Sequence, residues 1–170
     1  MDFSHIEKML DIAGDWYIME QELEEIELRI FPNSQKLEFK TKAELDDYIR
    51  NKLRGPRNGR YNFRKFKSVK SIPKDSVALF RFADSIMGWG EISAVAKYQP
   101  FVDDYGQKYE GYIMFKPETV KSFDPPLTIR ELEKITGMIF HFKNNFNTGR
   151  VYYKIPMKFK SSIKSSVKEV

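Results

Sequence analysis

The run Val77-Ala78-Leu79-Phe80-Arg81-Phe82 most restricts what this chain can become. Its residues are apolar almost without interruption and do not alternate with polar ones. That is the pattern of a strand buried on both faces. A strand of that kind needs cover on each side, so it predicts a layered domain rather than an exposed hairpin. Further strands are at hand. Trp89 to Ala96 reads as a second strand, entered through Gly88 and Gly90, and Tyr109 to Phe115 as a third, ended by Lys116-Pro117. Ala83-Asp84-Ser85-Ile86-Met87 reads as the loop between the first two, and Tyr98 to Gln107 as a long loop or hairpin before the third.

The rest of the chain adds helices and shorter strands. Ser4 with Glu7, Thr41 with Glu44 and Thr128 with Glu131 have the spacing of capping boxes, in which a hydroxyl and a carboxylate satisfy a helix's first N–H groups. Gly14, Gly55-Pro56 and Gly137 stop the three helices. Trp16 to Met19 reads as a strand. Another starts near Ile26, followed by a turn at Pro32-Asn33-Ser34 into Leu37-Glu38-Phe39. Tyr61 and Phe63 begin extended structure, and Thr119 to Phe123 makes a short edge strand before Pro125-Pro126. Met138 to Phe142 and Val151 to Ile155 form a final hairpin. The expected architecture is α+β: a small, strongly curved sheet or barrel flanked by helices. It forms one domain over residues 1–157. Residues 158–170, rich in Lys and Ser, read as a linker-like tail leading to a further domain.

With 170 residues, 41% hydrophobic and 15% aromatic, the chain has ample material for one core. It has no cysteine, which excludes disulfides, zinc–thiolate sites and thiol catalysis. His5 and His141 are its two histidines, too few and too far apart in sequence for a histidine triad or zinc centre. No Gly-Lys-Ser/Thr occurs, so there is no nucleotide-binding P-loop. No apolar run reaches membrane-spanning length and the N-terminus lacks a signal-peptide pattern, so a cytoplasmic protein with no membrane partner is expected. Glu38-Phe39-Lys40 with Asp11 or Asp15 upstream imitates the carboxylate-x-lysine core of metal-dependent nucleases, but the match is short and common. The expectation is a binding domain, not an enzyme, with no cofactor and no metal.

Charge gives the functional direction. Residues 1–48 carry 5 Lys/Arg against 13 Asp/Glu, whereas residues 49–70 carry 9 Lys/Arg and no acid. Phosphate backbones are held by such cations, which release condensed counterions. Arg54, Arg57, Arg60, Arg64, Lys65 and Lys67, with Arg81 further on, are the candidate phosphate contacts. Gly55 and Gly59 would let the backbone approach a phosphodiester, and Tyr61, Phe63 and Phe66 between the cations either stack on bases or pack in the core. Trp16, Tyr17, Phe82, Trp89 and Tyr98 are candidate walls of a base pocket, the competing reading for the tryptophans being core packing. Asp84 and Ser85 are short polar groups suited either to a base edge or to an Asx-type turn.

Pro73 to Phe82 followed by Met87-Gly88-Trp89-Gly90-Glu91-Ile92 resembles the EVE and YTH domains of the PUA-like superfamily, with Lys74 where those domains usually carry glycine before the aspartate. Trp16-Tyr17-Ile18 is similar to their first strand. Lys116-Pro117 through Thr128-Ile129-Arg130-Glu131-Leu132 is similar to their later strand and following helix. The resemblance covers residues 14–155 in outline and about 20 residues closely. It implies a curved β-barrel with flanking helices that binds RNA, or DNA carrying a modified base. It also implies kinship with the N-terminal domains of McrB-type restriction GTPases, which select methylated DNA by flipping a base. In that role DNA is favoured over RNA as the partner, and a GTPase domain would follow in the same chain.

Overall fold

The structure, a computed structural model, describes residues 24–33, 39–64, 71–102, 104, 106–140 and 152–165. Among these, the strands are β1 (Glu25–Asn33), β2 (Arg60–Phe63), β3 (Val77–Phe82), β4 (Ser85–Val102), β5 (Lys108–Phe115), β6 (Lys121–Thr128) and β7 (Tyr152–Pro156). The helices are α1 (Lys42–Asp47), which continues as a π-helical turn over Tyr48–Leu53, α2 (Ile129–Thr136) and α3 (Lys158–Ser165). The strands form one 7-stranded sheet in the order β2-β5-β4-β3-β1-β7, with β6 also on β4. Only the β1–β3 pairing is parallel; the others are antiparallel.

Strand β3 is buried on both faces, as its apolar run predicts. Phe80 and Phe82 point into one core with Phe31, Phe63, Ile113, Phe115, Leu45, Ile49 and Leu53. Val77 and Leu79 point into the other, with Leu28, Trp89, Ile155, Leu132 and Ile163. The period of two along β3 therefore divides the molecule into two apolar layers on either side of one sheet. The α1 segment covers the first layer; α2 and α3 cover the second.

β4 is the spine. Its first half pairs β3, and its second half pairs β5. The Glu91 carbonyl accepts from Lys116 N and its N–H donates to Thr119 Oγ1, while the Ile92 N–H and carbonyl bond Ser76 and Asp75. β5 and β6 thus occupy the same edge of β4 in succession, opposite β3. The sheet is strongly curved. β2 lies four strand steps from β1, roughly 19 Å in a flat sheet. Yet the rings of Tyr61 on β2 and Phe31 on β1 stack with centroids 5.9 Å apart. Only a sheet that curls around its first core brings those strands together.

Several expected elements take another form. Pro32 and Asn33 continue β1 rather than turning, because they pair Arg81 and Phe82. The loop expected at 83–87 is a two-residue turn, Ala83-Asp84, with Ala83 at a φ of 53°. β4 runs on through the expected 98–107 loop as far as Val102. Met138 to Phe140 is not a strand, and β7 pairs β1 instead. The expected tail is helical from Lys158 to Ser165: Ile163 is buried one turn after half-buried Phe159, an apolar pair at helical spacing that docks on the second core. The expected helix at Ser4, the strand at Trp16 and residues 34–38 lie outside the described residues. The coarse expectation, α+β with a small curved sheet flanked by helices, holds.

Candidate nucleic-acid interface

The basic segment is built from α1 downward. Thr41 Oγ1 accepts from Glu44 N at 3.2 Å, fixing the helix start, and Leu45, Ile49 and Leu53 anchor one face in the inner core. The backbone then widens: Arg54 N donates to Ile49 O at 3.4 Å and Arg57 N to Lys52 O at 3.0 Å, both spanning five residues. Asn58, at a φ of 47°, and Gly59, at 81°, reverse the chain into β2. Gly59 N bonds Leu53 O at 2.7 Å, and its carbonyl accepts from Phe115 N at 2.8 Å. Arg54, Arg57 and Arg60 are thereby carried on one turn at the β2 edge of the sheet.

Each of the last two arginines lies against a tyrosine. Arg57 Cζ is 5.8 Å from the Tyr48 ring centroid, and its Nε donates to Arg60 O at 3.0 Å. Arg60 Cζ is 4.5 Å from the Tyr112 ring centroid. A guanidinium on an aromatic face keeps its charge while its orientation is restricted, a good preparation for phosphate. Arg54 is exposed, and Arg64, at the far end of β2, is half-buried. Arg50 differs: carboxylates of Asp46, at 3.0 Å, and Asp124, at 3.8 Å, already face it.

Inward of this turn lies a half-buried aromatic group. Tyr48 meets Phe39 at 5.2 Å and Tyr61 at 6.3 Å between ring centroids. Tyr61 Oη donates to Asn33 Oδ1 at 3.4 Å, and Asn33 Nδ2 donates to Phe31 O at 3.2 Å and Arg81 O at 3.5 Å. Asn33 therefore joins the rings to the end of β3. There Arg81 Nε donates to Ala83 O at 2.6 Å, and Lys42 Nζ reaches Ser85 Oγ at 2.7 Å and Asp84 Oδ1 at 3.4 Å. The Ser85 hydroxyl, donating to Asp84 at 3.1 Å, and then the Lys42 ammonium hold the Asp84 carboxyl below its ordinary range. Burial pulls Arg81 down from its ordinary value, with Asp84 opposing. Asp84 is thus a ready acceptor, fitted to an exocyclic amine and unfavourable to a phosphate placed directly on it.

The structure distributes the expected residues unevenly. Asp84, Ser85 and Arg81 fall together at the β3–β4 turn, and Arg54, Arg57 and Arg60 fall together at the other end of α1 and its π-helical extension. Trp89 is fully buried in the second core among Leu28, Leu79 and Ile86, which removes it from the candidate pocket. Phe82 is buried in the first core, beneath rather than beside the turn. Trp16, Tyr17, Lys65, Lys67 and the Tyr98 side chain lie outside the described residues. Phe39, Tyr48 and Asn33 were not expected here. Tyr48 carried a signal, an aromatic on the helix that runs into the basic segment; Asn33 carried none.

Among the described residues, no helix is long and apolar enough to cross a membrane. Neither a protein-family model nor a curated protein matches the sequence.

Proposed function

We propose that this chain is a nucleic-acid-binding domain of the EVE/YTH type in the PUA-like superfamily. It reads a modified base in DNA that has been flipped from the duplex, as the specificity module of a modification-dependent restriction system whose GTPase domain follows in the same chain. The observation that carries this reading is the half-buried row of rings Phe39, Tyr48 and Tyr61, with Arg57 over Tyr48 at one end and Asn33 bonded to Tyr61 at the other. Aromatic faces replace the stacking a flipped base loses, an amide answers its edge, and cations on the adjoining turn hold its phosphates. Lys42, Asp84 and Ser85 form a bonded polar cluster at the β3–β4 turn, and in this reading Asp84 takes a donor from the base. Flipping costs a few kcal/mol, which stacking on an aromatic ring at about 1–3 kcal/mol per base, together with the phosphate contacts, offsets.

Titration of the full chain with duplexes that differ in one methylated base tests the proposal. Tighter binding of a methylated duplex, lost in Tyr61→Ala, is the expected result. Equal affinity for all duplexes rejects the reader role, and stronger binding to structured RNA moves the function to an RNA-binding module of the same fold.

A further inference from the structure

The basic segment is fastened to the sheet at both ends, and both fastenings fall on consecutive residues at the end of β5. Before it, the Gly59 carbonyl accepts from Phe115 N at 2.8 Å. After it, the Asp75 carboxylate accepts from Lys116 Nζ at 2.8 Å. Between Gly59 and Asp75 the chain carries Arg60, Arg64, Lys65, Lys67, Lys70 and Lys74 and no acid. The second fastening is shared with another element. Glu91, buried on β4, accepts through Oε2 from Lys116 Nζ at 3.2 Å and from Lys160 Nζ of α3 at 3.0 Å. Carboxylates and ammonium groups thus alternate along Asp75, Lys116, Glu91 and Lys160, and α3 supplies the last charge. Lys116 holds the Asp75 carboxyl below its ordinary range. Asp75 first, and Glu91 after it, raise the Lys116 ammonium above its own against the pull of burial.

We propose that Glu91 and Lys116 are positioning residues through which Lys160 of docked α3 sets the basic segment; the inference rests on the nucleic-acid reading above and gives that binding site a regulator. With Lys160 in place, each carboxylate of the chain of charges has an ammonium to match it. With Lys160 withdrawn, Lys116 alone stands between Asp75 and Glu91 among these four groups, and the pull of Glu91 loosens its hold on Asp75. The exit of the basic segment then comes free while its entry at Gly59 stays bonded. A segment fastened at both ends has less freedom to lose when a phosphate backbone is laid along it, so affinity is higher with Lys160 engaged. Docking delivers Lys160 as a discrete event. α3 has eight residues, with Ile163 as its buried side chain, fewer than the roughly 12 that an isolated helix needs in water. Away from the core it loses its helix and the Lys160 contact together, which gives it two states, docked and unfolded. By linkage, a bound polyanion favours the docked state by the factor with which docking favours the polyanion.

Two measurements on the full chain test the relay: titration with a short DNA duplex, and amide hydrogen exchange of the free and bound protein. Lys160→Met keeps the side-chain stem and removes the charge. It should weaken binding about fivefold. In the free protein it should also speed exchange at residues 71–76, where Asp75 N is bonded to Ile92 O at 2.8 Å. Lys160→Arg should restore both properties. In a Glu91→Gln background Lys116 has Asp75 to itself, so adding Lys160→Met should change neither affinity nor exchange. Duplex binding to the wild type should in return slow exchange over residues 158–165. A loss of affinity that persists in the Glu91→Gln background assigns Lys160 to a direct phosphate contact and overturns the relay. Unchanged exchange at 71–76 in folded Lys160→Met overturns it as well, while leaving the nucleic-acid reading standing. Exchange that shifts as expected, with no oligonucleotide bound by any variant, removes the nucleic-acid reading and keeps the fastening of the segment by α3. Neither binding nor a shift in exchange overturns both.

Discussion

Gly59 shows how closely the basic turn is tied to the sheet. At a φ of 81° it occupies a backbone region costly for any side chain, and a Cβ there would lie 2.3 Å from the Phe115 carbonyl oxygen. The sequence presents this glycine as a place where backbone approaches a phosphodiester; the close approach is instead to β5. The consequence is a single point at which the fold and the binding turn fail together. Gly59→Ala should destabilise the chain by about 2–3 kcal/mol, read as a lower urea midpoint, because the left-handed conformation and the contact with Phe115 are both disturbed. It should also weaken oligonucleotide binding beyond the unfolded fraction, since Arg57 and Arg60 flank the displaced residue. An unfolding free energy within about 0.5 kcal/mol of the wild type would show that the turn tolerates a side chain and that its geometry is not fixed there. Gly106 is the contrast: its φ is also positive, at 76°, but nothing lies within 4 Å of a Cβ built on it.

Elements were legible in the sequence where local chemistry decides them. Thr128 and Glu131 form a reciprocal cap at the start of α2, and Gly137 ends that helix at a φ of 66°, as their spacing predicts. Strand β6 was less legible, because the prolines at 125 and 126 read as a stop. They are accommodated where β6 and β4 lose register: Lys121 and Ser122 pair Trp89 and Gly88, Leu127 and Thr128 pair Ile86 and Ser85, and the prolines sit in the irregularity between. The helix α3 was missed for a different reason. Its polar composition resembles a linker, and its helicity depends on tertiary contacts: Ile163 in the second core, and Lys160 Nζ 3.0 Å from the buried Glu91 carboxylate. The α2 cap gives a pH test. The Thr128 N–H, then its hydroxyl, hold the Glu131 carboxyl below its ordinary range. A depressed carboxyl contributes its stabilisation fully above the unfolded-state pKa and loses it as pH falls through the folded one. Wild type should therefore exceed Glu131→Gln in Tm by a constant margin above about pH 5, and the margin should close on acidification below about pH 4. A margin that does not vary across that range would mean that the carboxylate's charge is not what the cap uses.

At the scale of the molecule, curvature assembles the candidate site, and curvature is the part least written in any local pattern. Asn33, Phe39, Tyr48 and Tyr61 come from β1, the segment before α1, the π-helical turn and β2. No spacing rule joins them; they meet because the sheet curls until β2 faces β1. The charge asymmetry, by contrast, was legible at once, and the structure refines it by sorting cations of one segment into different surroundings. Arg54 is exposed and Arg60 lies on the outer face, whereas Arg50 faces two carboxylates. If the segment acts only through net charge, these positions are equivalent. If it acts through placed phosphate contacts, they are not. Each phosphate contact on duplex DNA contributes about −0.9 to the slope of log affinity against log salt. Arg54→Gln and Arg60→Gln should each make that slope shallower by about 0.9, and the double variant by about 1.8. Arg50→Gln should change it by much less, because part of that cation's field already falls on Asp46 and Asp124 and fewer counterions are exchanged for it. Fluorescence anisotropy titrations across a salt series measure all four slopes. Equal changes at Arg50, Arg54 and Arg60 would leave a diffuse electrostatic patch and remove the argument that the turn presents individual arginines to individual phosphates.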